Sequence, residues 1–261
     1  MIWTQPSKSG IGDRLIDITL LYAYARLLGE KLYCNWIDYQ GNDDQYVKHI
    51  DAKHRLLDTK WEIISQYINL PPGIIINNNI IQDNIFNQIL GGQYDCYQFF
   101  EKFVDSSKFE LSTYLNSIKQ TVNEFSFNIN TGCPTPYIGL HIRRGDKVRN
   151  EFSDNAHILS DELYTLNALT FNAINVELKN YKNFYVCGDE DHKTKIFIDY
   201  IEKIGGRVIK LPEMEKHITT FFDLLFLSKS KKVITSMKHS SFSKFAALLG
   251  DIEYVTVYNY K

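Results

Sequence analysis

The densest group of ionisable side chains follows residues 137–142, an apolar run of strand length. Two arginines come directly after the run, and an aspartate and a lysine follow within a few positions: Arg143, Arg144, Asp146 and Lys147. Planar guanidinium groups match phosphate oxygens, and each charged hydrogen bond contributes roughly 1.5–3 kcal/mol. So many cations at one strand end repel each other unless an anion or carboxylates compensate. The stretch therefore predicts a phosphate-binding site, and the alternative is a structural network in which Asp146 pairs with an arginine.

The elements that position this stretch alternate between strands and helices. The predicted strands of the second half are 137–142, 184–187, 208–211, 233–235 and 254–258. The predicted helices between them are 161–178, with Ser160 as N-cap, 192–204, 219–228 and 241–249. Such alternation implies a parallel sheet with helices on both faces, in which ligands bind beyond the carboxyl ends of the strands.

The first half gives weaker signals. A strand over 2–4 precedes a turn rich in glycine and serine, and Asp13 is the predicted N-cap of a helix that Gly29 ends. Further predictions are strands over 31–36 and 74–76 and a helix over 110–125. The segment 128–136, with two prolines and a glycine, predicts a linker. We therefore expect an N-terminal domain over 1–130 and a C-terminal domain over 131–261.

Composition limits the class of protein. The 261 residues carry 29 Lys and Arg against 31 Asp and Glu, a net charge of −2, and 14 % of them are aromatic. This predicts a globular protein without the basic excess of nucleic-acid binders, and the alternation of strands and helices makes its predicted class α/β. We see neither a bilayer-spanning segment nor a signal peptide, so we expect a cytoplasmic protein, with membrane association through a larger complex left open. Widely spaced cysteines favour free buried thiols: Cys34, Cys96, Cys133 and Cys187.

The stretch His-Ile-Arg-Arg-Gly-Asp-Lys, residues 141–147, resembles the donor-binding motif of the α1,2-, α1,6- and protein O-fucosyltransferases. Three segments resemble further motifs of that superfamily in the same order: a glycine loop over 9–15, an acidic helix over 222–228 and a serine-rich turn over 240–243. The resemblance implies a GT-B fold, with two Rossmann-like domains, parallel sheets and an interdomain cleft. The first domain would face the acceptor and the second would bind a GDP-sugar.

The resemblance also implies an activity, the inverting transfer of L-fucose from GDP-fucose to a sugar hydroxyl of a glycan acceptor, with no metal or other cofactor. Arg143 would hold the β-phosphate and stabilise the charge of the departing diphosphate, and Arg144, Asp146 and Lys147 would complete that end of the donor site. The only acidic segment that argues for a metal is 189–191, and acids at a helix N-terminus are its alternative explanation.

His141 and Asp223 match superfamily positions that contact guanosine. A carboxylate that accepts from two guanine N–H groups discriminates this base from adenine and uracil. The alternative for Asp223 is a polar residue in the first turn of its helix, beside Thr219 and Thr220. The alternative for His141 is a hydrogen-bonded core histidine.

The glycine loop and the serine-rich turn match segments that approach the diphosphate. Gly10 and Gly12 would let backbone N–H groups come close to the phosphates. Ser240 and Ser241 precede a helix whose N-terminus offers N–H groups and a positive dipole to an anion. Helix capping is the alternative for the serines, and it is compatible with phosphate binding.

Inversion is a single in-line displacement, so the acceptor hydroxyl needs a general base. The α1,6 enzymes resemble this chain in having a lysine with a glutamate four positions later, which makes Glu151 the candidate base and Lys147 its partner. Gly145 is closer to the α1,2 pattern, so the linkage formed stays open. Two alternatives also stay open: the same fold using GDP-rhamnose, GDP-mannose or another GDP-sugar, and a non-catalytic GDP-sugar-binding module.

Overall fold

The computed structural model of the chain describes parts of both halves of the sequence. The described residues are 2–4, 10–36, 60–77, 95–129, 136–143, 156–188, 191–214, 216–237 and 240–260. The chain divides into two units, residues 1–130 and 131–261.

The first unit contains a small parallel sheet with helices. Its elements are β1 (Ile2–Thr4), α1 (Ile11–Leu27), β2 (Leu32–Cys34), α2 (Trp61–Tyr67), β3 (Ile68–Asn69), β4 (Ile74–Ile76), α3 (Cys96–Phe103), α4 (Leu111–Asn123) and β5 (Ser126–Phe127). The strands β1, β2 and β4 pair in that order and all run parallel. A separate antiparallel pair, β3 with β5, and the helices α2 and α3 had no counterpart in the sequence prediction.

Helix α1 is the centre of the first unit and is buried on nearly every side. It packs against α4, where the Tyr114 hydroxyl donates to the Leu20 carbonyl at 3.1 Å. Its N-cap is Gly10, and the prediction that Asp13 caps it was wrong because the helix begins earlier and includes that residue. Gly29 follows the helix with φ of +69°, as predicted for a residue that ends a helix.

The second unit contains a five-stranded sheet. Its elements are β6 (Ile138–Ile142), α5 (Ala156–Glu177), β7 (Asn183–Gly188), α6 (Asp191–Lys203), β8 (Arg207–Ile209), α7 (Lys216–Ser228), β9 (Lys232–Thr235), α8 (Ser241–Gly250), β10 (Glu253–Thr256) and a 3₁₀ turn (Val257–Asn259). All five predicted strands and four predicted helices are confirmed. Ser160 lies inside α5 instead of capping it, because that helix begins earlier, and Gly250 is the last residue of α8.

The strand order is β10-β9-β6-β7-β8, and every neighbouring pair is parallel. The chain builds outward from β6 through β7 to β8 and then crosses to the other side of β6 to form β9 and β10. The order therefore reverses between β6 and β9. In open parallel sheets the crevice beyond the carboxyl ends of the strands at such a reversal is where ligands bind.

The two faces of β6 have different neighbours. Leu140 and Ile142 belong to an apolar core built with residues of α5 and α6. Gly139 faces α7, and a Cβ atom there would lie 2.9 Å from the side chains of Leu227 and Ser230. Glycine therefore allows α7 to pack closely against the central strand, and His141, two positions on, lies on the same face.

The described thiols and helices bear on two further predictions. Cys34, Cys96 and Cys187 are free; the first and last are buried, whereas Cys96 is only half-buried, and Cys133 lies outside the described residues. Across the described ranges, no helix combines the length and the apolar character needed to cross a bilayer.

Candidate functional site

The candidate site of the second unit lies at the carboxyl end of β6. His141 pairs in register with Cys187 of β7 and with Thr235 of β9. Arg143 is the first residue after the strand with a non-strand conformation, and it is half-buried. Both residues therefore lie at the carboxyl end of the strand, as the sequence predicted, and the structure adds that this end is beside the reversal of strand order.

His141 is 7 % exposed and is held by the serine-rich turn. Its Nδ1 atom lies 2.6 Å from the Oγ atom of Ser243 and 3.3 Å from that of Ser240, and its ring contacts Phe242 with centroids 5.3 Å apart. The imidazole therefore has a fixed orientation. A hydrogen-bonded core histidine is an accurate description of it, and that description does not conflict with a contact to a ligand at the strand end.

The sequence interpretation did not include Ser243 as a site residue. Ser240 and Ser243 are three positions apart across the start of α8, and this spacing puts both side chains on one side of a helix. The Ser243 hydroxyl lies 3.1 Å from the Ser240 hydroxyl, and both residues are fully buried. The spacing was the available signal, but only the fold, which brings the start of α8 to the end of β6, shows that both hydroxyls contact the histidine.

Arg143 is held by a second serine that the sequence interpretation missed. The backbone N–H of Arg143 donates to Ser236 Oγ at 3.0 Å, and that hydroxyl lies 3.3 Å from the Arg143 carbonyl. The Ser236 backbone N–H donates to the His141 carbonyl at 3.0 Å. Ser236, fully buried just after β9, therefore fixes the path of the chain where β6 ends and the arginine begins.

The charge of Arg143 acts on a tyrosine from the edge strand β10. Burial raises the pKa of Tyr254, and the neighbouring Ser240 backbone and the positive charge of Arg143 oppose that rise. The start of α8, where the helix dipole favours an anion, lies beside the same strand end, because Ser240 and Ser243 both contact His141. Two sources of positive potential, one side chain and one helix end, come together at this strand end.

Asp223 lies in the middle of α7 and is half-buried. The hydroxyl of Tyr185, on β7, donates to its Oδ1 atom in a short hydrogen bond. The alternative explanation, a polar residue in the first turn, was wrong because α7 begins at Lys216 and Asp223 is well inside it. Tyr185 had no local sequence signal, since it lies in an apolar strand.

Ser240 is the N-cap of α8 and accepts a hydrogen bond from the Ser243 N–H at 3.3 Å. It is fully buried, whereas Ser241 is half-buried. Helix capping is therefore observed for Ser240, and the phosphate contact of either serine stays a prediction.

In the first unit, Gly10 is exposed at the start of α1, and a Cβ atom added to it would meet nothing within 4 Å. Gly12 lies in the first turn of that helix and is buried. The turn before them, residues 5–9, lies outside the described residues, and the phosphate contacts of both glycines stay a prediction.

Several predicted site residues lie outside the described residues: Arg144, Asp146, Lys147 and Glu151, together with Asp189 and Glu190 of the acidic segment. Their roles stay predictions. Within the ranges that the structure describes, no three His, Cys, Asp or Glu side chains form a group that could hold a metal ion.

Comparisons with known proteins agree with this fold. The sequence model of glycosyl transferase family 11 matches residues 49–261. No curated protein sequence gives a significant match. The crystal structure of NodZ alpha-1,6-fucosyltransferase soaked with GDP-fucose is 14 % identical, with a TM-score of 0.55 over 95 % of this chain and 92 % of that one.

Two further crystal structures are similar. POFUT1 in complex with GDP is 12 % identical, with a TM-score of 0.53 over 98 % of this chain and 97 % of that chain. Se-Met fucosyltransferase NodZ from Bradyrhizobium is 14 % identical, with a TM-score of 0.53 over 95 % and 92 % of the two chains. Together with the parallel sheets of both units, these likenesses confirm the predicted α/β fold of the GT-B class.

Proposed function

Because the chain belongs to glycosyl transferase family 11, we propose that it transfers L-fucose from GDP-fucose to a sugar hydroxyl of a glycan acceptor. Family membership makes the protein a glycosyltransferase and confirms the resemblance to fucosyltransferases that its motifs indicated. The donor, the acceptor and the stereochemical course belong to the proposal. Among the similar structures, NodZ was soaked with GDP-fucose and POFUT1 is in complex with GDP, which supports a GDP-linked donor.

One observation carries the proposal: His141 and Arg143 lie at the carboxyl end of the central strand, where His141 contacts the two serines at the N-terminus of α8. A guanidinium and the N-terminus of a helix both bind phosphate groups, so together they suit the negative charge of a diphosphate. Asp223, on α7 of the same unit, offers a carboxylate that matches the N1–H and N2–H groups of guanine. The described part of the unit therefore holds groups suited to both ends of GDP.

The chemistry that we propose is a single displacement with inversion. The glycosidic bond to the β-phosphate oxygen breaks, and negative charge grows on the departing GDP. Arg143 stabilises this charge more in the transition state than in the ground state, which lowers the barrier. Glu151, supported by Lys147, takes the proton of the acceptor hydroxyl as it attacks the sugar from the opposite face. The arginine charge replaces a divalent cation, so no metal is needed in this scheme.

The experiment measures GDP release and glycan product with GDP-fucose, in the presence of a chelator, for the wild type and for Arg143→Ala. We expect kcat to fall about 10²- to 10³-fold, because one charge-stabilising donor is lost at the transition state. Arg207→Ala is the matched control, since this exposed arginine begins β8 in the same unit. Undiminished turnover of Arg143→Ala would contradict the proposal.

Two extensions of that experiment test the other parts of the proposal. Glu151→Gln should lower kcat without weakening GDP binding, and weaker GDP binding would show that Glu151 is not the base. A panel of GDP-fucose, GDP-mannose and GDP-rhamnose tests the sugar, because Arg143 and Asp223 contact only the GDP part of each donor in this scheme. Product formed only with another GDP-sugar would replace fucose in the proposal.

A further inference from the structure

Tyr185 connects the sheet of the second unit to Asp223. It lies on β7 and is 2 % exposed. Its ring packs against Phe226 of α7 with centroids 4.8 Å apart, and its hydroxyl bonds to Asp223, three positions earlier on that helix. One buried ring therefore contacts two side chains on the same face of α7 and sets the position of the carboxylate relative to the sheet.

The direction of this hydrogen bond follows from the surroundings of the phenol. Burial raises the pKa of Tyr185, and the negative charge of Asp223 raises it further, so the hydroxyl stays protonated and donates to the carboxylate. An ionised carboxylate has about four acceptor positions on its two oxygens. The bond from Tyr185 uses one of these positions, on Oδ1.

We infer that Tyr185 is a positioning residue that orients the Asp223 carboxylate for guanine and thereby contributes to the choice of nucleobase. This inference rests on the proposed function. Guanine presents N1–H and N2–H side by side, so accepting both requires one orientation of the carboxylate plane. An aspartate on a half-exposed helix face can rotate, and a buried phenol bonded to one oxygen removes that freedom before the nucleotide binds.

The test compares the affinities of GDP and IDP by calorimetry, because the hypoxanthine of IDP keeps N1–H and lacks the 2-amino group. The wild type should prefer GDP. In Tyr185→Phe the ratio of the two affinities should fall about tenfold, as expected when an orienting hydrogen bond to a charged group is lost. Steady-state kinetics with GDP-fucose should show a higher KM and an unchanged kcat, because the base is bound equally in the ground and transition states.

Tyr137→Phe is the matched control. The Tyr137 hydroxyl is also buried and donates to α7, to the Phe226 carbonyl at 2.7 Å, but it does not bond to Asp223. The Tyr137→Phe variant should keep the wild-type ratio of GDP to IDP affinity. An equal fall in both variants would overturn the inference, because a general disturbance of α7 would then explain the result.

Three further outcomes are decisive. An unchanged ratio in Tyr185→Phe overturns the inference and leaves the proposed function intact. A wild type that does not prefer GDP over ADP and UDP overturns the proposed guanine donor, and the inference with it. If Tyr185→Phe does not fold, Asp223→Glu is the second variant, because it keeps the phenol and the charge but moves the carboxylate outward by one methylene. Its ratio of GDP to IDP affinity should also fall. An unchanged ratio in Asp223→Glu overturns the inference.

Discussion

Replacing Ser236 by alanine tests whether the end of β6 is set by a single hydroxyl. Ser236 Oγ accepts the Arg143 N–H at 3.0 Å and lies 3.3 Å from the Arg143 carbonyl, while the bond from its own N–H to the His141 carbonyl does not depend on the side chain. The variant thus loses one good and one long hydrogen bond at a buried position. An unsatisfied buried group costs about 1–3 kcal/mol, and we expect a loss of unfolding free energy of about 1–2 kcal/mol.

The effect of Ser236→Ala on catalysis should exceed its effect on stability. The Ser236 hydroxyl holds the backbone of Arg143, so its loss allows the guanidinium to shift. A shift of about 1 Å can lower the rate up to roughly 100-fold. We expect kcat to fall about 10- to 100-fold in assays run well below the unfolding transition. Urea unfolding of the same preparations measures the loss of unfolding free energy.

Ser230→Ala is the matched control for this variant. Ser230 is also buried, and its hydroxyl lies within hydrogen-bond distance of two backbone carbonyls, those of Leu227 at 2.7 Å and Lys232 at 2.9 Å. It lies before β9, at the amino end of the strand, away from the candidate site. Ser230→Ala should lose similar stability and keep its kcat. If Ser236→Ala also kept its kcat at equal loss of stability, the positioning argument would fail.

The remaining predictions concern the buried carboxylate of Glu177, which accepts from Lys232 Nζ at 2.8 Å and from the Tyr260 hydroxyl at 2.5 Å. Glu177→Gln should lower the unfolding free energy by about 2 kcal/mol in urea titrations, because the lysine loses a buried partner. Burial lowers the pKa of Lys232, but the interaction with Glu177 outweighs burial and the pKa is raised overall. Burial and the same carboxylate raise the pKa of Tyr260. Stability from these groups is complete below pH about 10 and falls as pH rises through the raised values, so the decline that begins near pH 10 should be smaller in Glu177→Gln.

The order of elements in the second unit was predictable from the sequence because each strand is a short apolar run bounded by turn residues. The starts of helices were less predictable. Asp13 and Ser160 are good capping residues, but each lies inside a helix that begins earlier, at Ile11 and at Ala156. A capping residue shows where a helix is able to start; at α1 the helix starts before Asp13 because Ile11 and Gly12 are buried.

The candidate site was predictable where its residues are adjacent in sequence. Arg143 follows from an apolar run that ends in cations, whereas His141 and Ser240 follow from the resemblance of their segments to fucosyltransferase motifs. Ser236 and Tyr185 could not be found in this way, because their partners lie 93 and 38 positions away in the sequence. The parallel register of β6, β7 and β9 and the packing of α7 bring them together, and no local pattern encodes those contacts.

The two positioning contacts act on different parts of the proposed reaction. Tyr185 orients Asp223, and a nucleobase contact is equally strong before and during bond cleavage, so its loss changes KM. Ser236 fixes Arg143, and the charge that this arginine meets grows only as the glycosidic bond breaks, so its loss changes kcat. The two pairs share no residue. Tyr185 and Asp223 lie on β7 and α7, whereas Arg143 and Ser236 directly follow β6 and β9. In the proposed reaction, donor selection and transition-state charge would therefore depend on separate hydroxyl groups of one unit, and a variant at either position should change one kinetic constant and spare the other.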